Sequence, residues 1–397
     1  MNQLGFELTS DQKLLVSDLK RWYKYRTKPY YSYSGPPGSG KTTIIKLFIE
    51  EMDIKPTEVI SAAYVGKAVL LLLRHGLNAS TIHSLIYKTK FELEKDPVSF
   101  DYDGPIKKKT KMKFVLKESL PKNLKLIIID EASMVNDKLR DDLLSFGIPI
   151  IFVGDKDQLP PVFGNSTIMD NPDFVLRQIM RQALDNPIIY LSQCILNDIP
   201  LKEGEYGTSK IINRIDVDKR LLTDYDIILC GKNKMREKLN NDIRYNVLGI
   251  NKYDPIIGDK LINRQSDWEY CINGIFLTNG TIGYVTNIDT STLYKGYTEI
   301  DFRPDFMEES FRELKLDYKY FNTPIEQRNS YGISRYNKFE YGYCITTHTS
   351  QGSEYPRVLF IDQPFHDKET TKKLQYTAIT RAREQITIVR DPWNNYH

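Results

Sequence analysis

One stretch of the sequence has the residue types and the spacing needed to bind a nucleotide phosphate. Residues 35–42 read Gly-Pro-Pro-Gly-Ser-Gly-Lys-Thr and fit the P-loop pattern G-x-x-x-x-G-K-[ST]. Glycines let the backbone turn so that successive N–H groups point at phosphate oxygens. Lys41 adds a charge for the β- and γ-phosphates, and the Thr42 hydroxyl is a ligand for Mg²⁺. The predicted nucleotide-binding residues are Gly35, Pro36, Pro37, Gly38, Ser39, Gly40, Lys41, Thr42 and Thr43.

The residues on either side have the patterns that a P-loop requires. Residues 29–34 are β-prone, and residues 43–49 have apolar side chains at helical spacing. This order places a helix N-terminus against the anion. Residues 8–25 predict an amphipathic helix capped by Thr9 or Ser10. The Gln12 amide suits the adenine edge, although a glutamine on a helix surface is also commonplace.

Two carboxylates follow an apolar run further along the chain. Residues 126–129 are all apolar, which is typical of a central parallel strand covered on both faces. Asp130 is placed to hold Mg²⁺ opposite Thr42, and Glu131 to act as general base on the attacking water. The next predicted strand, 148–153, leads into a loop where Gln158 is expected to sense the γ-phosphate.

Composition indicates an ordinary globular chain with more than one domain. The 397 residues are 41% hydrophobic and 27% charged, with a formal net charge of +3, so a nucleic-acid surface must be local. Four scattered cysteines suggest neither a disulfide frame nor a zinc site. No apolar run is long enough to span a bilayer, and residues 1–30 lack an apolar signal core. We therefore expect a cytoplasmic protein, or one in the host cytoplasm if it is viral, with no membrane partner.

Two regions interrupt the α/β pattern. Residues 87–123 predict short strands at 87–92 and 114–117 around a lysine-rich segment, and we expect a small inserted subdomain. Residues 253–340 have strand-and-turn patterns with the hairpin dipeptide Asn279-Gly280, and predict a small inserted β-barrel. The α/β pattern then resumes, with a strand predicted at 341–348 and a helix at 372–383.

The motifs taken together resemble superfamily 1 helicases, and are most similar to the RecD and phage Dda branch of subgroup B. The motifs that carry this resemblance are Gln12, the P-loop, Ala62–Ala68, Thr81–His83, Asp130-Glu131, Gly154–Pro161, Arg181-Gln182, Thr347–Gly352 and Thr380–Arg383. The resemblance implies an α/β fold with two RecA-like parallel-sheet domains, an inserted pin subdomain and an inserted SH3-like β-barrel. The implied boundaries are 1–86 and 124–186 for domain 1A, 87–123 for the pin subdomain 1B, 187–252 and 341–397 for domain 2A, and 253–340 for the SH3-like domain 2B.

The resemblance also implies roles for individual residues. Arg381 from the second domain and Arg181 near the hinge are expected to be arginine fingers on the γ-phosphate, and Gly352 and Glu354 to lie beside the nucleotide. The implied DNA-binding residues are Tyr64, Lys67, Thr81, His83, Thr347, His348 and Ser350, with Phe91 and Phe114 as aromatics at the tip of the pin.

The implied activity is ATP-dependent unwinding of DNA, 5′ to 3′, in replication, recombination or repair. Expected cofactors are ATP and Mg²⁺, and expected partners are single-stranded and forked duplex DNA, with a single-strand-binding protein as a further candidate; a monomer is expected. Two alternatives stay open: a P-loop switch that binds nucleic acid without unwinding it, and a small-molecule kinase. A GTPase is disfavoured because Asn233-Lys234-Met235-Arg236 lacks the aspartate of N-K-x-D.

Overall fold

The structure is a computed structural model that describes residues 8–93, 110–161, 164–179, 185–213, 223–250, 254–323, 325–328, 336–363, 365 and 367–390. Its described elements form two six-stranded sheets, a five-stranded sheet and two separate hairpins. No helix in these stretches is both long enough and apolar enough to cross a membrane.

The strands, in chain order, have the following bounds: β1 (Tyr30–Ser34), β2 (Val59–Ala63), β3 (Ala79–Thr81), β4 (Tyr87–Leu93), β5 (Thr110–Leu116), β6 (Leu126–Ile129), β7 (Ile150–Gly154), β8 (Phe174–Val175), β9 (Gly204–Tyr206), β10 (Ser209–Ile212), β11 (Ile227–Cys230), β12 (Lys260–Asn263), β13 (Asp267–Ile272), β14 (Ile275–Leu277), β15 (Ile282–Asp289), β16 (Tyr297–Pro304), β17 (Phe311–Asp317), β18 (Phe339–Tyr341), β19 (Cys344–Thr346), β20 (Tyr355–Asp362) and β21 (Ala382–Arg390). The helices are α1 (Ser10–Tyr25), α2 (Lys41–Glu51), α3 (Gly66–Arg74), α4 (Ile82–Ile86), α5 (Asp137–Leu144), α6 (Pro187–Leu196), α7 (Asn233–Asp242), α8 (Tyr318–Phe321), α9 (Ile325–Arg328) and α10 (Lys368–Ile379).

The first sheet has the strand order β3-β2-β6-β7-β1-β8, and its neighbouring strands are parallel. Every residue of β6 is buried, as its all-apolar sequence predicts. Leu15, Leu19 and Phe48 pack on one face of this sheet, and Leu139 and Leu143 pack on the other. This sheet and its helices α1–α5 form what we call the first unit. The order places β7 between β6, which ends just before Asp130, and β1, which leads into the P-loop.

The second sheet has the order β19-β11-β20-β21-β10-β9 and is parallel except for the β9–β10 pair. Buried side chains of α6 and α10, among them Leu191 and Leu374, pack against its apolar strands. This sheet with α6, α7 and α10 forms the second unit. The predicted α/β fold with two parallel sheets is confirmed.

The five-stranded antiparallel sheet has the order β17-β16-β15-β12-β18, and with the β13–β14 hairpin it forms the β module. Its core contains Phe302, Phe311 and Phe339. The strands β4 and β5 pair separately as an antiparallel hairpin, from Tyr87 opposite Leu116 to Leu93 opposite Thr110. Both insertions expected from the sequence therefore contain antiparallel β-structure.

Two predicted elements have different limits. The strand expected at 341–348 is divided, because Tyr341 pairs with β12 of the β module whereas β19 pairs with β11 of the second sheet. The helix expected at 372–383 ends at Ile379. Arg381 then accepts the N–H of Tyr355 on its carbonyl oxygen, so the chain enters β21 instead of continuing the helix.

Candidate functional site

The P-loop lies between the end of β1 and the start of α2. Gly40 has a positive φ of 82°, a conformation that other residues adopt at a cost. At Gly35 a Cβ would lie 2.5 Å from the Ser39 hydroxyl, so the turn has no room for a side chain. Lys41 donates from Nζ to the carbonyl oxygens of Gly35, at 2.7 Å, and Pro36, at 3.3 Å. Its ammonium is therefore held against the loop predicted to bind phosphate.

Gln12 is fully buried and contacts the P-loop directly. Its Nε2 donates to the carbonyl oxygen of Ser39 at 2.9 Å, and its Oε1 accepts the N–H of Thr9 at 3.0 Å. Thr9 is the helix cap, as predicted, and forms a capping box with Gln12. The amide thus fixes the start of α1 to the P-loop. In this conformation the amide is buried and bound within the protein through both its nitrogen and its oxygen, so the adenine contact stays a prediction.

Asp130 and Glu131 follow β6, as expected. Glu131 has a left-handed φ of 51°, and its N–H donates to Asp130 Oδ1 at 3.0 Å. Burial, and then the negative charge of Glu131, raise the pKa of Asp130 from 3.8 to about 6, while Lys41 acts in the opposite direction. Repulsion between the two carboxylates makes this corner favourable for a cation.

Arg381 reaches this corner from the second unit. Its Nη1 lies 4.0 Å from Glu131 Oε1, and the residue is only 2% exposed. The guanidinium also donates to two carbonyl oxygens of its own unit, those of Thr377 and Ser353, each at 3.2 Å. The general-base candidate and the arginine-finger candidate therefore face each other across the contact between the two units.

The loop after β7 contacts the second unit at three points. Leu159 donates its N–H to Thr377 Oγ1 at 2.9 Å and accepts from Gln351 Nε2 at 2.6 Å. Asp155 accepts the Tyr376 hydroxyl at 2.6 Å. Gln158 Nε2 lies 3.5 Å from Asp155 Oδ2. The predicted γ-phosphate sensor thus lies on a loop docked against the second unit.

Four residues of this contact were missed in the sequence: Asp155, Gln351, Tyr376 and Thr377. Asp155 and Gln351 lie within motifs that carry the resemblance, so motif membership was a signal that could have identified them, whereas Tyr376 and Thr377 lie on the helix just before the motif that contains Arg381. Nothing in the residue types alone indicates that they pair across the two units.

Gly352 and Glu354 lie beside the same carboxylates. Gly352 has φ of 70°, and a Cβ there would lie 2.6 Å from Val65 of the first unit. A cavity of about 740 Å³ is lined by Asp130 and Glu131 from the first unit and by Gly352 and Glu354 from the second, and extends to the β module. The two units therefore enclose a space next to the catalytic candidates.

The second arginine-finger candidate, Arg181, lies outside the described residues. The segment before it is fixed to the start of α1, because Asp11 Oδ2 accepts the N–H groups of Arg177 at 2.9 Å and Gln178 at 3.1 Å. Ser10 Oγ also donates to the Gln178 side chain, at 3.0 Å. The chain that leads to Arg181 therefore starts next to the helix that carries Gln12.

Three of the predicted DNA-binding aromatics meet in one cluster. Within what we call the aromatic cluster, the His83 ring lies 5.5 Å from the rings of Tyr64, Phe114 and Trp268, and Phe114 lies 4.6 Å from Trp268. Tyr64 and Phe114 are each 38% exposed. Burial lowers the pKa of His83, which favours the neutral form of its ring. The cluster joins the first unit, the β4–β5 hairpin and the β module; Trp268 was not predicted.

The remaining predicted DNA-binding residues are less accessible. The hydroxyls of Thr81, Thr347 and Ser350 are buried and form hydrogen bonds within the protein. His348 is half-buried, and burial lowers its pKa. Only the backbone of Phe91 is described, in β4.

Lys67 is engaged by other parts of the protein. Its Nζ lies 3.2 Å from Asp305 of the β module and 3.9 Å from the ring centre of Tyr355 in the second unit. In this conformation the lysine links three parts of the molecule instead of projecting toward solvent.

Two family models match separate parts of the chain. A model described as an AAA domain matches residues 23–164, which include the P-loop, Asp130 and Gln158. A model described as a UvrD-like helicase C-terminal domain matches residues 341–389, which include Arg381. The two halves of the candidate site thus fall in two separately recognised regions.

Two of the relatives that match along most of the chain are DNA helicases. The chain is 27% identical over 379 residues to the ATP-dependent RecD2 DNA helicase of Deinococcus radiodurans, covering 89% of this chain and 46% of that protein. It is 24% identical over 454 residues to the ATP-dependent DNA helicase Dda of Enterobacteria phage T4, covering 96% of this chain and 99% of that protein. The chain spans about half the length of the first relative and nearly all of the second.

A solved structure has the same fold over nearly the whole chain. The crystal structure of Pif1 helicase from Bacteroides, in complex with ADP-AlF3 and single-stranded DNA, matches with a TM-score of 0.52 at 19% identity, covering 97% of this chain and 92% of that one. The fold and the sequence motif define a P-loop protein built from two α/β units. Within that class the chain is similar to the RecD2 and Dda helicases along most of its length.

Proposed function

We propose that this protein hydrolyses ATP between its two α/β units and uses the cycle to move 5′ to 3′ along single-stranded DNA and unwind duplex. The observation that carries the proposal is the 4.0 Å approach of Arg381 to Glu131. A catalytic site completed by a second unit links ATP hydrolysis to the relative position of two bodies, which is what a motor requires. The alignment with Dda over 99% of that helicase supports the same conclusion.

The residues divide the chemistry among them. Lys41 binds the β- and γ-phosphates, and Glu131 takes a proton from the attacking water. Gln158 orients that water or contacts the γ-phosphate, and Arg381 stabilises the charge that develops on the transferred phosphoryl group. Arg181 is proposed as a second guanidinium at the same phosphate.

The metal proposed for this site is Mg²⁺, which the Thr42 hydroxyl and the Asp130 carboxylate would hold. The donor set fits, because burial and then the charge of Glu131 raise the pKa of Asp130, and a cation at this corner would favour the charged carboxylate. Among the described residues no cluster of three or more histidine, cysteine or acidic side chains forms a metal site. When bound, the cation neutralises charge on the phosphates.

Nucleotide state then controls the contact between the units. ATP favours the closed arrangement because Arg381 gains a phosphate partner only when the second unit docks. Hydrolysis removes that partner and favours opening. If both units grip one DNA strand through its phosphates, alternate closure and opening moves them along the strand.

The aromatic cluster supports a strand-separating role for the hairpin. Phe114 and Trp268 place the hairpin against the β module at a point where Tyr64 is exposed for base stacking. We propose that residues 87–123 are the pin and residues 253–340 an SH3-like domain that supports it. A rigid hairpin at the fork turns translocation into unwinding.

The alternative that the fold also allows is a P-loop switch that hydrolyses ATP on nucleic acid without separating strands. A small-molecule kinase is disfavoured, since it has no need of an arginine supplied by a second α/β unit.

Unwinding of labelled duplexes with either a 5′ or a 3′ single-stranded overhang tests the proposal. We expect ATP-dependent unwinding of the 5′-overhang substrate only, with ATP hydrolysis stimulated by single-stranded DNA. Stimulated hydrolysis with both duplexes left intact would identify the switch. DNA affinity is also expected to fall steeply with salt, because phosphate contacts release counterions.

A further inference from the structure

Asp155 is buried where the two α/β units meet, directly after β7, and its two oxygens have different partners. Oδ1 accepts the N–H of Asp157 at 3.1 Å. Oδ2 accepts the hydroxyl of Tyr376 at 2.6 Å and lies 3.5 Å from Nε2 of Gln158. Tyr376 is fully buried in the last turn of α10. One carboxylate therefore contacts both the Gln158 side chain and the helix that ends just before Arg381.

A second connection runs beside the first. Thr377, the next residue of α10, accepts the N–H of Leu159 on its hydroxyl at 2.9 Å. Its carbonyl oxygen accepts Nε of Arg381 at 3.2 Å. The loop after β7 is thus joined to the Arg381 guanidinium through one residue. If this loop moved away from α10, Thr377, whose carbonyl oxygen binds Arg381, would lose its contact with the first unit.

The Asp155 carboxylate is placed to respond to the nucleotide. Burial raises its pKa, and the Lys41 ammonium lowers it, so the charge of Lys41 reaches this carboxylate. A triphosphate that binds Lys41 changes the field at Asp155. Gln158 Oε1 is buried and, within the described part of the chain, has no hydrogen-bond partner. An amide with an unused acceptor is ready to bind a water or to rearrange when phosphate arrives.

We propose that Tyr376 is a positioning residue, whose hydrogen bond to Asp155 couples Gln158 on the first unit to Arg381 on the second. The hydrogen bond fixes the position of the loop after β7 relative to α10. Gln158 and Arg381 can therefore contact the γ-phosphate at the same time. Tyr376 does not touch the nucleotide. The inference rests on the proposed ATP hydrolysis between the two units. It adds the hydrogen bond that connects the Gln158 loop of the first unit to the Arg381 helix of the second.

Tyr376→Phe tests this assignment, because it removes only the hydroxyl and keeps the buried ring. We expect kcat for DNA-stimulated ATP hydrolysis to fall about 10- to 100-fold, the size expected for losing a hydrogen bond to a charged group. The KM for ATP and the affinity for a fluorescent ATP analogue should change less than about threefold, since Lys41 and the P-loop are untouched. A loss of nucleotide affinity equal to the loss of kcat would overturn the proposal.

Tyr343→Phe is the matched control. Tyr343 also donates its hydroxyl to a buried carboxylate, that of Asp259, at 2.8 Å, but this pair joins the second unit to the β module and contacts neither Gln158 nor Arg381. Both variants lose a buried tyrosine–aspartate hydrogen bond, so circular dichroism and thermal unfolding should show comparable stabilities. Only Tyr376→Phe should lose turnover. Equal loss of turnover in both variants would show that Tyr376 contributes only to the stability of the fold, and would overturn the proposal.

A double-mutant cycle keeps the test decisive if one variant is less stable. Asp155→Ala should produce a similar fall in kcat, and adding Tyr376→Phe should lower it no further, because both remove one interaction. Fully additive losses would contradict the coupling. Failure of the proposed function has a separate signature, since the wild-type protein would then show no DNA-stimulated hydrolysis. Wild-type stimulation with an unaffected Tyr376→Phe would reject this inference alone.

Discussion

Two regions of the molecule bring distant parts of the chain together by different means. Around the P-loop, the two units meet through directional bonds between buried polar groups, such as Leu159 to Thr377 and Tyr376 to Asp155. The aromatic cluster instead joins the first unit, the hairpin and the β module by ring packing around His83. Hydrogen bonds fix distances closely and fail when one atom is removed. Ring packing tolerates small shifts.

The difference matches the tasks that we propose for the two regions. Phosphoryl transfer needs charged groups placed to within fractions of an ångström, and buried hydrogen bonds provide that precision. A hairpin that meets a moving fork needs support that survives changes of angle. We therefore expect polar substitutions at the first region to stop hydrolysis, and aromatic substitutions at the second to affect unwinding alone.

The largest effects are expected at the P-loop and the carboxylates. Lys41→Ala should abolish hydrolysis because the β- and γ-phosphates lose their point charge. Glu131→Gln should also abolish hydrolysis while still binding ATP, because only the proton acceptor is lost. Steady-state hydrolysis and equilibrium binding of a fluorescent ATP analogue measure the two properties. Normal turnover by Glu131→Gln would remove the general base from the mechanism.

Arg381→Ala should follow, with hydrolysis lowered on the order of 10³-fold by analogy with other arginine fingers. Nucleotide affinity should fall far less, since the P-loop of the first unit is intact. Single-turnover hydrolysis separates the chemical step from binding. Arg383→Ala, an exposed arginine two residues further along, is the control and should retain most of the activity. Weakened binding with an unchanged chemical step would argue against a finger.

At the aromatic cluster, Trp268→Ala should lower the unwinding rate about 2- to 10-fold, the range expected from losing aromatic pair contacts. ATP hydrolysis on single-stranded DNA should stay near the wild-type rate, because no residue of the P-loop region is touched. Tyr294→Ala is the control, since Tyr294 is an aromatic of the same module that is 81% exposed. A parallel fall in hydrolysis and unwinding would show that the two regions are not separable.

A polar network away from both regions should affect stability alone. Glu340 is bound by Arg236, Arg264 and Arg328; burial opposes its charge, but these guanidinium groups lower its pKa from 4.5 to about 2. Its folded pKa is depressed, so the stabilisation is present above pH 4.5 and lost as pH falls toward 2. Glu340→Gln should cost about 3 kcal/mol at pH 7. Urea unfolding should show a constant cost from pH 8 to 5 that shrinks below pH 4.5; a cost independent of pH would contradict the charge assignment.

Much of the fold was predictable because it depends on local patterns. The run Leu126–Ile129 is one apolar strand with the predicted limits, and Thr9 caps α1 as its sequence position indicates. The helix predicted at 372–383 ends earlier, at Ile379, because its end is set by the pairing of β20 with β21 and not by local propensity. The apolar spacing of a helix does not show where a strand distant in the sequence will pair with the residues that follow it.

Some residues of the candidate site could likewise be predicted from the sequence, and others could not. The P-loop, Asp130 and Glu131 were predicted because their chemistry demands particular residue types at particular spacings, and Arg381 was predicted from a motif that carries the resemblance. Trp268 was not, since an aromatic in a strand usually serves the core of its own domain. Lys67 was assigned to DNA from its motif, and the structure places its ammonium on Asp305, a residue 238 positions away. Partners this distant follow only from the tertiary fold.

The central claim is that one triphosphate is bound by both units at once. A crystal structure with a non-hydrolysable ATP analogue and Mg²⁺ tests it most directly. We predict that the γ-phosphate contacts Lys41 Nζ on one side and the Arg381 guanidinium on the other, with Arg381 released from the carbonyl oxygen of Ser353. An analogue held by the P-loop alone, with Arg381 still bonded to Ser353, would contradict the account.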